Sequence, residues 1–382
     1  MCSNYVNVIG LMSGTSLDGV DLCLVSFEKS NFKKYKITHA KTFKYDNVWI
    51  KKLKKAIFLN KEELIKLDND FGELLTYYIK KFKEEFSISQ IDLISSHGHT
   101  IFHNPKKKIT LQIGNGYIIN KNTKLKVICD FRTQDIKYNG QGAPLVPIGD
   151  LDLFSNYKFC LNLGGFSNIS IKELDGIKAF DISPVNTVLN YYSKKLGLDY
   201  DKNGKFSREG NVNNSLFNEL NEMEFYKRSG PKSLGIEFVN SKVLPLIENY
   251  MLKPEDVLKT YIEHVSHQIN RTISNFSKNK ILVTGGGTYN KTLIDSIKRK
   301  IKHELVVPEK KLIDFKEAMI FAYMGLLKSE GKINCLKSVT GALKDHSSGK
   351  ILEFMSLKNL IQVLIFKYFS RRVVFYCTSY AF

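Results

Sequence analysis

A chain of 382 residues with 43% hydrophobic and 25% charged residues is too long for one core of ordinary size, which excludes a peptide-sized or disordered protein and predicts two domains. The formal charge of +19 comes mostly from scattered lysines, and Arg132, Arg208 and Arg228 stand apart, so the cations read as a solvated surface and not as a nucleic-acid face. Six cysteines without a CxxC pair suggest neither a zinc site nor a disulfide framework; MCSNYVNVIG is not a signal peptide and no window reaches membrane-span length, which predicts a cytoplasmic protein without membrane contact.

In chain order, strand-like apolar runs are predicted at 6–11, 20–27, 93–96, 127–130, 159–163, 169–171 and 280–283. Helical spacing is predicted at 77–86, 257–276 and 293–301, which makes an α/β protein. The stretch GLMSGTSLDGVDLCLVSF (10–27) reads as two strands joined by about eight loop residues, more than a plain hairpin needs. A weak internal repeat, YVNVIGLMSGTSLDGVDLCLVSF against YKFCLNLGGFSNISIKEL from Tyr157, suggests two similar domains. NGQGAPLVPIGD (139–150) has the glycine and proline punctuation of a domain connection, or of an ordinary loop.

Three loops carry candidate chemistry. In SGTSLDGVD, Gly14 and Gly19 free the backbone, Ser13, Thr15 and Ser16 supply hydroxyls, and Asp18 and Asp21 would suit a magnesium-bound phosphate; a decorated hairpin turn explains the same residues. Gly285, Gly286 and Gly287 follow a strand and precede a helix near Asn290, without the P-loop or GxGxxG pattern; they form a ligand-approach loop or a structural turn. Asp181 in KAFDISPVN is predicted at a strand end before Pro184 and a helix, where it presents its carboxylate for catalysis, or where it or Ser183 caps the helix. His97, His99 and His103 lack cysteine or paired carboxylate neighbours, and alternation along a strand gives them one face, so substrate or packing roles are favoured over metal ligation.

GLMSGTSLDGVD (10–21), SSHGHTIFHNP (95–105), TLQIGNG (110–116), DFRTQDIKYNGQGAPLVP (130–147), NLGGFSN (162–168), AFDISPVN (179–186), GPKSLGIEF (230–238), VTGGGTYN (283–290), EAMIFA (317–322) and SVTGA (338–342) run in one order across residues 5–350. Together they resemble the anhydro-N-acetylmuramic acid kinases of bacterial cell-wall recycling. The resemblance implies two ribonuclease H-like domains, as in actin, sugar kinases and heat-shock chaperone ATPases, with nucleotide in the cleft between them. The domains are expected at 1–140, completed by a helix near 315–330, and at 141–350, with an apolar and basic tail at 351–382.

The resemblance further implies ATP binding by Gly14, Thr15, Ser16, Leu17, Asp18, Gly19, Val20 and Asp21, completed by Gly164, Gly165, Gly285, Gly286 and Gly287. It implies Mg²⁺ at Asp18, sugar contacts at His97, Asn168 and Asn186, and Asp181 as the base that activates water against the 1,6-anhydro bond while O6 takes the γ-phosphoryl group. A homodimer is the family expectation. Two departures accompany it: many members read FDTGPGN where this chain has FDISPVN, so Ser183 and Val185 stand for glycines beside the base. Those departures motivate a rival reading, a nucleotide-switched binding protein of the same fold without sugar turnover. The tail reads as an extra packing or interfacial helix, or as an extension without function.

Overall fold

The computed structural model describes residues 3–14, 16–228, 230 and 232–354; Thr15 of the expected nucleotide loop and the expected tail from residue 355 lie outside the described residues. Two sheets organise the chain. The first contains β1 (Tyr5–Ser13), β2 (Gly19–Glu28), β3 (Asn31–Lys44), β4 (Leu93–Asn104), β5 (Ile109–Ile113), β6 (Lys126–Cys129) and β12 (Lys350–Leu352), in the order β12-β6-β4-β1-β2-β3 with β5 on β4. The second contains β7 (Phe159–Leu163), β8 (Phe166–Glu173), β9 (Gly176–Pro184), β10 (Lys280–Thr284) and β11 (Glu304–Val306), in the order β11-β10-β7-β8-β9.

The two sheets share one plan. In each, the first three strands run antiparallel, and the fourth lies parallel on the other side of the first, followed by another parallel strand. The sequence repeat is therefore a repeat of topology. β12 crosses the expected start of the tail at residue 351: it pairs antiparallel with β6, so the chain returns to the first sheet after finishing the second.

Alternation along the strands sends each face to a different core. In the first sheet Ile9, Leu11 and Ile94 pack with Phe71 and Leu75 of the helix Lys61–Glu85, whose start is fixed by an Asn60–Glu63 capping box. Val8, Leu93 and Ile128 face the other way, toward Met319, Phe321 and Tyr323 of the helix Lys310–Ser329. In the second sheet Cys160 and Leu282 join that same cluster, while Phe159, Leu161 and Val283 pack against the helices Asn186–Lys195, Pro254–Ile273 and Lys291–Lys300. The helix Lys310–Ser329 is thus buried continuously from Ala318 to Leu327 because both sheets contribute to the cluster around it. Its approach to β1 demands Gly10: a Cβ there would lie 1.9 Å from the Ala318 carbonyl oxygen.

The first hairpin is tighter than its sequence predicts. Ser13 pairs with Val20, so residues 14–19 form the loop, shorter than the roughly eight expected and still longer than a plain hairpin needs. Residues that read as loop are absorbed into strand pairing: Met12 pairs with Asp21, Ser13 with Val20, and Gly19 with Lys44 of β3.

Candidate active site between the two sheets

The β1–β2 loop of the first sheet is held by side chains on both flanks. Ser13 Oγ lies 2.6 Å from the Tyr45 hydroxyl and 2.8 Å from His99 Nδ1, and Ser16 Oγ donates to Asp18 Oδ1 at 2.7 Å. Leu17 takes a left-handed backbone (φ 60), and Gly14 and Gly19 flank the loop; a Cβ on Gly19 would lie 2.4 Å from the Phe43 carbonyl oxygen. Val20 is fully buried and Asp18 is exposed. Asp21, half-buried, accepts from Thr42 Oγ1 at 2.5 Å. Burial pushes its carboxyl from 3.8 to about 6, with repulsion from Asp18, Glu317 and Asp314 adding to the rise.

Glu317 and Asp314 come from the helix Lys310–Ser329, which links the two halves. Tyr289, at the end of the Gly286–Tyr289 turn, donates its hydroxyl to Asp314 Oδ1 at 2.5 Å, so the triple-glycine loop of the second sheet is tied to the helix whose acids face Asp21. Glu317 is open to solvent yet enclosed by protein on its flanks, and this surrounding raises its carboxyl, with Lys316 and Arg132 opposing the rise. Asp18, Asp314 and Glu317 each repel Asp21, and such carboxylate oxygens are hard donors of the kind magnesium takes, although Asp314 is already engaged by Lys310 and Tyr289.

The second sheet brings its two glycine loops together. A Cβ on Gly285 (φ +87) would lie 2.4 Å from Asn162 Oδ1, and one on Gly287 would lie 2.8 Å from Leu163 Cβ, so both glycines are required by loop-to-loop packing. Only Gly286 is open, its nearest neighbour the Asn186 amide at 3.6 Å. Asn186 Nδ2 donates to the Leu163 carbonyl at 3.3 Å, and the Gly164 and Gly165 carbonyls accept from the backbone N–H groups of Val185, Asn186 and Thr187. Gly164, Gly165, Asn186 and Gly286 therefore form one surface.

Asp181 lies in β9 opposite exposed Asn168, and a bulge between them and the Ser167–Ser183 pair re-aims it. Its backbone N–H donates to the Lys232 carbonyl at 2.9 Å, and its Oδ2 accepts from the Leu234 N–H at 2.8 Å. Burial raises its carboxyl above the usual range, partly offset by that Leu234 bond. Neither Asp181 nor Ser183 caps the following helix, whose first flanking residue Val185 carries no side-chain cap. The two departures from the family pattern both face inward: Ser183 is paired with Ser167 and Val185 packs in the core, each fully buried. They do not cover the side on which Asp181 and Asn168 lie.

The three histidines do not share a face. His97 packs on Phe321, whereas His99 lies beside Phe71 on the opposite side of the sheet. Gly98 (φ +74) and the register shift, in which Leu11 to Ser13 spans Ser96 to His99, insert an extra residue and invert the alternation. His97 Nδ1 donates to the Gly98 carbonyl at 3.0 Å, so its Nε2 accepts from Arg132 Nε at 3.0 Å; burial and Arg132 keep the ring neutral. His97 lines a cavity of about 290 Å³ with Ser96, Gln112, Asn115 and Asp130, whereas Asn168 and Asp181 lie on the second sheet and Asn186 starts the helix after it, all outside that lining. Arg132, read in the sequence as a solvated surface cation, is instead drawn inward to donate to His97 Nε2 and the Gly142 carbonyl; Glu317, Asp314 and the Lys232–Leu234 clamp had no role in the sequence reading, although charged Lys316 and Glu317 inside an apolar helix were a legible signal.

Residues 6–353 match the family described as anhydro-N-acetylmuramic acid kinase. Relatives of that name include one from Bacillus cereus (strain 03BB102), 30% identical with 90% of this chain and 98% of the relative covered, and one from Haemophilus influenzae, 33% identical with 90% and 97% covered. Among solved structures, the activator of the 2-hydroxyisocaproyl-CoA dehydratase from Clostridium difficile with bound ADPNP is similar at a TM-score of 0.43 and 10% identity, covering 85% of this chain and 96% of that one. With the family match spanning both sheets and every loop described above, the chain belongs to the anhydro-N-acetylmuramic acid kinase family.

Proposed function

We propose that this protein converts 1,6-anhydro-N-acetylmuramate, ATP and water into N-acetylmuramate 6-phosphate and ADP, as a cytoplasmic step of cell-wall sugar recycling. The observation that carries the reading is Asp181 itself: a strand carboxylate held by two backbone contacts, raised by burial, and open on the Asn168 side. It accepts a proton from water as the oxygen attacks the anomeric carbon; the C1–O6 bond breaks, and O6 bonds to the γ-phosphorus as the bond to the ADP oxygen breaks. The leaving charge goes to ADP and the water proton to Asp181.

ATP is read against Gly14, Ser16, Leu17, Asp18, Gly19, Val20 and Asp21 on one side and Gly164, Gly165 and Gly286 on the other, with Gly285 and Gly287 shaping the second loop. Thr15 belongs to the same reading. Asp18, Asp21 and Glu317 would hold Mg²⁺, which when bound neutralises charge on the phosphates. His97 and Asn168 are read as sugar contacts, and Asn186 as the support of the loop at Leu163 and Gly164. The domain division is read as 1–140 with the helix Lys310–Ser329 and β12, and 141–309 with the segment after residue 330. A homodimer is the assembly we assign.

The nucleotide-switched binding protein loses its only support, because Ser183 and Val185 are buried away from the open side of Asp181. The test is ATP-dependent formation of a 6-phosphosugar by the full chain. Asp181→Asn should lower kcat about 10²–10⁴-fold while retaining Mg·ATP affinity; full activity in that variant refutes the assigned base. ATP binding without sugar-dependent ADP release refutes the kinase reading.

A further inference from the structure

Beneath the segment that follows Arg132, three side chains with metal-ligand chemistry converge from distant parts of the chain. Asp135, Cys335 and His346 are 0%, 2% and 5% exposed, and one ligand atom from each lies within 4.8 Å of the others. Asp135 Oδ1 is 3.1 Å from Cys335 Sγ and 3.6 Å from His346 Nε2, and it accepts from Thr340 Oγ1 at 2.7 Å; Asp135 Oδ2 accepts from the Gly142 N–H at 2.6 Å.

The histidine decides what the cluster is for. His346 Nδ1 lies 3.1 Å from the Lys344 carbonyl, which can only accept, so Nδ1 carries a proton and Nε2 is the ring atom left to face Asp135 as a metal ligand. Nε2 is buried without a hydrogen-bond partner. Asp135 Oδ1 accepts from the Cys335 thiol and from Thr340 Oγ1, so the lone pair left without a donor is that of Nε2, and burying it costs energy unless a cation occupies it. A tetrahedral metal with bonds of about 2.0–2.3 Å places its ligands about 3.3–3.8 Å apart, close to the separations from Asp135 Oδ1 to Cys335 and His346.

We propose that Asp135, Cys335 and His346 bind a divalent transition metal of the zinc class, with Thr340 Oγ1 the nearest oxygen for a fourth position. Thiolate, imidazole and carboxylate together disfavour Mg²⁺ and Ca²⁺, which separates this site from the magnesium-nucleotide cleft. Binding turns the Cys335 thiol into a thiolate and releases its proton to solvent, so affinity falls as pH falls. The metal staples 335–346 to 135–142. That junction also touches the second sheet: the Gln141 N–H donates to the Thr340 carbonyl, and Ser338 Oγ donates to the Ile177 carbonyl of β9, the strand that carries Asp181. The expectation that no zinc site exists rested on short spacing; Asp135 and Cys335 are 200 residues apart, so no spacing motif could reveal them.

The test uses the full chain, stripped with a chelator and kept free of Mg²⁺ and nucleotide. Co²⁺ should bind at one equivalent with a sulfur-to-cobalt charge-transfer band and be displaced by Zn²⁺. Cys335→Ser should abolish the band, and His346→Gln should weaken Zn²⁺ at least tenfold, both with unchanged far-UV circular dichroism. Absence of the band in the wild type, or its persistence in both variants, overturns the proposal. Should either variant fail to fold, zinc-edge X-ray absorption of the wild type decides: one sulfur with nitrogen and oxygen neighbours supports the site, and zero or several sulfurs refute it.

Discussion

Replacing Asp21 with asparagine separates the energetic burden of the acidic cluster from its use. Burial and the charges of Asp18, Glu317 and Asp314 raise the Asp21 carboxyl from 3.8 to about 6, which corresponds to about 3 kcal/mol against the ionised native state. The folded protein holds the proton more tightly than the unfolded chain, so stability falls as pH rises from 3.8 to about 6, and the penalty is complete above that window. Asn keeps an oxygen acceptor for Thr42, which bonds Asp21 Oδ1 at 2.5 Å, and removes only the charge. Urea denaturation in chelator should show Asp21→Asn more stable than wild type by ~1–3 kcal/mol at pH 8, the gain shrinking to near zero at pH 4. In Mg·ATP the order should reverse, because the wild-type carboxylate gains a cation while the variant binds at least tenfold more weakly. Equal stability of the two proteins at pH 8, or a gain that persists undiminished at pH 4, would refute the reasoning.

Gly285→Ala should destabilise by about 2 kcal/mol or more, since its Cβ meets Asn162 at a positive φ, whereas Gly286→Ala should leave the melting curve within about 0.5 kcal/mol and weaken ATP binding in calorimetry. Gly10→Ala forces β1 away from Ala318 and should lower Tm by many degrees, with an unchanged Tm counting against the close packing described. Lys316→Met strands Asp150, its 2.7 Å partner in a nearly fully buried ion pair, and should cost about 3–5 kcal/mol in urea titration; Lys316→Met with Asp150→Leu should recover part of that loss.

Much of the architecture is written in local pattern. The apolar runs at 6–11, 20–27, 159–163 and 280–283 are strands because their alternation feeds two cores, and the repeated glycine hairpins mark a repeated sheet. The ordered motifs also named the family, since each motif is contiguous and is carried by neighbours in sequence. β3, β9 and β12 were less legible: β3 is rich in lysine on its exposed side, and β12 is three residues whose strand character comes only from β6.

What the tertiary structure alone decided are the relations between distant segments. Gly98 turns His97 and His99 to opposite faces, because one inserted residue inverts a period of two. Two of the three glycines at 285–287 answer to Leu163 and Asn162 and leave only Gly286 open. Asp314 and Glu317 act on Asp21 because one helix lies between two sheets, and Asp135 meets Cys335 and His346 because the chain returns to the first sheet at its end. Sequence determines which local element each residue builds; such encounters depend on long-range packing, whose partners are set by the whole chain and by no single stretch of it.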